Sequence, residues 1–145
     1  MQFSRYSFKT NESYLEYEFI STGPRGLIKK VVRFTQIGAE IFNLSFGDLN
    51  EETGEISDRV VTNNIDSRKV LTIVAAIVHD FTLQYPGIWI FAKGRTHSRT
   101  RLYRMGISNN WQEIRMDFEL YGFENETWEL FEPGGDYVAY LVRRK

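Results

Sequence analysis

Apolar residues recur at two different periods along this chain, and the places where the period changes divide it into elements. Tyr14 to Ser21 is aromatic-rich with Glu16 and Glu18 alternating between the rings, and Gly23-Pro24-Arg25-Gly26 supplies turn chemistry before Leu27 to Phe34. The pattern predicts a hairpin. Ile37-Gly38-Ala39-Glu40 makes a second turn, and in Ile41 to Asp48 the residues Phe42, Leu44 and Phe46 fall on one face at period two. After a polar loop from Asn50 to Gly54, Ile56 to Thr62 can return antiparallel, giving a meander of about four strands.

The period then lengthens. Asp66 or Ser67 can cap a helix in which Val70, Val74, Ile77, Val78 and Phe81 recur every three to four residues. Tyr85-Pro86-Gly87 ends it, because proline disfavours helical geometry in the residue before it. Ile88 to Ala92 follows as a nearly continuous apolar run, the pattern of a central strand. Thr96 or Ser98 can cap a short second helix stopping near Gly106, and Asn109 or Asn110 can start a third with Trp111 and Ile114 on one side. The remainder reads as strands: Phe118 to Phe123, Thr127 to Phe131 and Tyr137 to Val142, separated by Glu124-Asn125-Glu126 and Pro133-Gly134-Gly135 turns.

Strands followed by helices followed by strands imply an α+β class. At 145 residues the chain is the size of one domain, expected to span 1–145. An apolar fraction of 42% with 15% aromatics is ample for a packed core. The absence of cysteine excludes disulfides, thiolate metal sites and cysteine nucleophiles. Met1 to Tyr6 lacks the apolar core of a signal peptide and no later run is long enough to span a bilayer, so a cytoplasmic location without membrane contact is expected.

Net charge is −1, which argues against a generally basic nucleic-acid protein. The distribution is uneven, however. From Phe81 to Gln112 there is no Asp or Glu, and that run holds Lys93, Arg95, Arg99, Arg101 and Arg104. With 18 Lys and Arg and 19 Asp and Glu in total, the rest of the chain has an excess of six anions. A basic segment on an acidic body steers towards anionic ligands. Gly94 permits close backbone approach, Thr96, Ser98 and Thr100 offer hydroxyls, and arginine forks suit phosphate or carboxylate. Lys93, Arg95, Thr96, Ser98, Arg99, Arg101 and Arg104 are therefore the candidate anion-binding residues. In a helix starting near Ser98, Arg99 and Arg101 point along different azimuths, which favours successive phosphates or separate partners over one shared phosphate. Pairing of these arginines with carboxylates of the meander is the competing reading.

A second polar cluster, Asn43, Asp48, Asn63, Asn64 and Asp66, gathers near strand ends and the start of the long helix. Acids beside arginines suit metal-assisted phosphodiester chemistry, while the same residue types more commonly cap backbone groups. The loop after Asp48 is no calcium site, since Thr53 stands where the EF-hand needs glycine. His97 is the one imidazole near the arginines, and His79 lies mid-helix. No catalytic residue, metal or cofactor is assigned. Tyr14, Tyr17, Phe19, Phe34, Phe42 and Phe46 are candidate base-stacking rings if they face solvent, and core residues otherwise.

The blocks Asn43-Leu44-Ser45-Phe46-Gly47-Asp48, Thr62-Asn63-Asn64-Ile65-Asp66 and Gly94 to Tyr103 resemble an uncharacterised bacterial family of unknown function and similar length. That resemblance implies no activity. Four strands followed by a long helix is also similar, in element order alone, to the whirly and PC4-like single-stranded nucleic-acid-binding folds. The expected function is non-catalytic binding of an anionic ligand, single-stranded DNA or RNA foremost. A small metal-assisted nuclease, or an adaptor binding another protein or a second copy, are the alternatives.

Overall fold

The structure, a computed structural model, describes residues 8–24, 26–57, 67–94 and 96–145. Within them, β1 (Lys9–Thr10), β2 (Glu16–Gly23), β3 (Gly26–Gly38), β4 (Ile41–Leu49) and β5 (Ile56–Ser57) precede α1 (Ser67–Gln84). Then come β6 (Trp89–Lys93), α2 (His97–Asp117), β7 (Phe118–Glu124), β8 (Thr127–Leu130) and β9 (Ala139–Arg144). The strands make one sheet in the order β1-β2-β3-β4-β6-β9-β7-β8, with β5 beside β4. Only the β4–β6 pairing is parallel among those described. The class is α+β, as the periodicity predicts.

The hairpin and second turn of the meander fall where expected, with two differences. The first long strand begins at Glu16, because Tyr14 adopts φ 59 in a turn closed by its N–H donating to the Asn11 carbonyl at 3.1 Å. The fourth strand is described only at Ile56–Ser57, and the remainder of its expected span lies outside the described residues. The apolar strand β6 is central, paired on one side with β4 and on the other with β9.

Alternation sorts the sheet residues onto two faces. Phe34, Phe42, Leu44, Phe46, Ile90, Leu120 and Tyr140 are buried on the face that receives the helices. From α1, the fully buried Phe81 stacks on Phe34 with ring centroids 3.8 Å apart and meets Phe42 edge-on at 5.5 Å. This is the pattern that the three-to-four-residue repeat of α1 demands, since it gathers Val70, Val74, Ile77 and Phe81 on one stripe. Gly87, at φ 80, turns the chain into β6.

The expectation of a short second helix ending near Gly106, with a third after it, is corrected. α2 runs unbroken for 21 residues. Gly106 is there for contact, not termination: a Cβ on it would lie 3.0 Å from the Leu71 side chain, so its absence lets α1 and α2 approach closely. The Asn110 amide also donates to the Gly106 carbonyl at 2.7 Å inside the helix, so the asparagine caps no new one.

His79 lies on α1 beside Phe118, with ring centroids 6.2 Å apart. Burial, and then the nearby Arg144 cation, push its pKa below the ordinary 6.5. The unfolded chain therefore binds more protons than the native one below that pH, and stability falls as pH drops through 6.5 towards the folded value. Thermal melts from neutral pH down to about pH 5 should show this loss, and His79→Gln should flatten it. An unchanged acid slope in the variant would count against the assignment.

Among the described residues no helix is long and apolar enough to cross a membrane.

Candidate functional site

Sheet geometry opens a cleft beside β4. Its outer flank pairs with β6 at Ile41–Asn43 and with β5 at Asp48–Leu49, so β6 and β5 engage opposite ends of the strand. Where β6 leaves β4, a cleft of about 1160 Å³ forms, reached by Asn43, Ser45 and Phe46 of β4, Phe91 and Lys93 of β6, and Thr96 and Arg99 of α2. Arg33 and Glu55 also line it. Its described lining thus carries three cations and one carboxylate.

The turn from β6 into α2 is tight because Gly94 has no side chain. A Cβ there would lie 2.3 Å from the Thr100 backbone nitrogen, so the helix begins directly against the end of the strand. Thr96 is the cap: its Oγ1 accepts from the Arg99 N–H at 3.1 Å, and its carbonyl accepts from the Thr100 N–H at 3.0 Å. The first turn of α2 contains no acidic residue, so the positive end of the helix dipole at Thr96 meets the cleft without local neutralisation.

The helix distributes the basic segment. Lys93 at the end of β6 and Arg101 on α2 are exposed, as are His97 and Ser98. Arg99 points inward, 2% exposed, with its guanidinium carbon 4.6 Å from the Phe46 ring centroid. Arg104, one turn further, binds Asp136 at 2.7 Å and donates to the Tyr137 carbonyl at 3.1 Å. Arg95 lies outside the described residues. Lys93, Thr96 and Arg99 are therefore brought together at the cleft, Arg101 stands outward on the helix, and Arg104 is committed to Asp136 and Tyr137 in the segment that leads into β9. The divergence of Arg99 and Arg101 follows the azimuths of a helix.

The second polar cluster is dispersed in its described part. Asn43 lies in the cleft and donates from its amide to the Ser45 hydroxyl at 3.2 Å. Asp48 pairs instead with Lys30, directly opposite it on β3 and 5% exposed, so that carboxylate neutralises a buried ammonium. Asn63, Asn64 and Asp66 lie outside the described residues. Among the described residues no three His, Asp or Glu side chains are grouped to hold a metal ion.

The meander rings proposed as stacking platforms are corrected. Tyr17, Phe19, Phe34, Phe42 and Phe46 are all buried in the core, and Tyr14 packs partly against it. A different aromatic set occupies the opposite face of the sheet. By register, Trp89 and Phe91 of β6 share that face with Asn43 of β4, Tyr121 and Phe123 of β7, and Trp128 and Leu130 of β8. Phe123 and Trp128 lie 5.1 Å apart, Trp89 and Tyr121 5.8 Å, and Phe91 and Trp128 6.2 Å. Period-two spacing in β6 and β7 was the available signal, but only the strand order shows which side the helices leave open.

No curated protein and no solved structure shows significant similarity to the chain. A family match extends from residue 2 to residue 145, covering the basic segment, the cleft and the aromatic face together. The chain belongs to the family of unknown function DUF6934.

Proposed function

We propose that the protein binds an anionic, phosphate-bearing ligand at the cleft between β4 and β6, and that this ligand is single-stranded nucleic acid. The observation that carries the reading is the exposed Lys93 in the cleft lining, beside a helix N-terminus whose first turn holds no acidic residue. Arg33 is shared with Glu16 at 3.1 Å, which leaves exposed Lys93 as the cation best placed to meet a ligand. Arg99 lies beneath, its guanidinium buried against the Phe46 ring. Thr96, Asn43 and Ser45 add neutral hydrogen-bonding groups for oxyanions.

Among the described residues binding is the better-supported reading, because Asp48 is committed to Lys30 and is not part of the cleft lining, while Asp66 lies outside the described residues. The test is a titration of a labelled single-stranded oligonucleotide over a range of salt. Affinity should fall as salt rises, and Lys93→Ala should reduce the slope of log affinity against log salt by about one. Undetectable binding at low salt would remove the proposal.

A further inference from the structure

We infer that the helix-free face of the sheet is the surface on which unpaired bases of that nucleic acid stack. The inference rests on the reading of the cleft as a phosphate site and adds the part of the ligand that the cleft does not explain. Among the described residues both helices pack on the opposite face, leaving two neighbouring sets of rings across β6, β7 and β8: Phe91, Trp128 and Phe123 in succession, and Trp89 with Tyr121. The intervening strand β9 contributes the small Ala139 opposite Phe123 and Lys93, and Ala139 is 3% exposed although nothing larger stands at its position. Trp128 keeps 38% of its surface exposed and Leu130 65%, at the outer edge of the group.

Charge decides between two occupants of such a face. Arg143 lies with its guanidinium carbon 4.5 Å from the Trp89 ring centroid and is held by Glu119 at 2.8 Å. A second copy of the chain covering these rings would also bury that ion pair and Lys93, at a desolvation cost with no carboxylate paired to the ammonium among the described residues. A single strand makes no such demand. Its bases present flat π-faces to the rings and the Arg143 plane, while its phosphates remain in water and supply Lys93 with an anion. Phe91 belongs both to the ring group and to the cleft lining, so a strand can pass from one to the other without a gap.

The experiment compares a single-stranded oligodeoxythymidylate with an abasic oligonucleotide of the same length, at one low salt concentration. The base-bearing strand should bind on the order of tenfold more tightly, and Trp128→Ala should weaken it about fivefold while leaving the abasic strand unaffected. Two of the three tryptophans lie on this face, so their fluorescence should quench on binding; Trp111, on α2 and packed against Phe131 at 4.6 Å, should not contribute. Equal affinity for the two strands would overturn the inference and leave the cleft reading standing. Failure of both to bind would overturn the two together. Self-association that buries Trp128 and is abolished by Trp128→Ala would assign the face to a second copy instead.

Discussion

Phe81→Ala is expected to lower the unfolding free energy by about 4 kcal/mol. Phe81 is fully buried and touches three rings: it stacks on Phe34 at 3.8 Å, meets Phe42 edge-on, and lies 4.9 Å from Tyr85. These contacts join α1 to both β3 and β4. Truncation loses the transfer energy of the ring and leaves a void that stiff neighbouring aromatics cannot fill. For a chain of this size that loss corresponds to a fall in Tm of roughly 10 °C. Urea denaturation should show a lower midpoint with an unchanged slope. A loss below about 1 kcal/mol would mean the ring packing is looser than described.

Gly94→Ala is expected to have the largest effect at the cleft. The added methyl would lie 2.3 Å from the Thr100 nitrogen and 2.7 Å from its Cα, both backbone atoms, so no side-chain rotation relieves it. The first turn of α2 must move away from β6. Overpacking of this kind costs about 1–3 kcal/mol. Unlike Phe81→Ala, it also displaces Thr96 and Arg99 relative to Lys93, so oligonucleotide affinity measured on the folded variant should fall as well. Amide exchange in the first turn of α2 should accelerate. Native stability together with native affinity in Gly94→Ala would refute the close approach of strand and helix.

Local pattern carried the elements whose partners are near in sequence. Phe42, Leu44 and Phe46 announce a strand because alternation needs only the strand itself, and the stripe ending at Phe81 announces α1 for the same reason. Gly106 misled because glycine signals a helix end locally, whereas its actual role is set by Leu71 on another helix. The basic segment was legible as a concentration of charge, and so was the divergence of Arg99 from Arg101. The destination of Arg104 was not, since Asp136 and Tyr137 lie more than thirty residues away. The aromatic face was the hardest to read. Rings on strands β6 and β7 look no different from the buried rings of β2 to β4 until the sheet order fixes which side the helices cover.

That order also bears on how the protein is made. β9 sits between β6 and β7, yet it follows every other strand in the sequence. On the ribosome, β1 to β4 can pair as they emerge, whereas the β7–β8 hairpin has no strand linking it to them until β9 has been synthesised. Until then the edges of β6 and β7 remain open, with Trp89, Phe91 and Tyr121 beside them. The nascent chain thus depends on a late insertion to close its sheet, and that interval is when it is most exposed to aggregation.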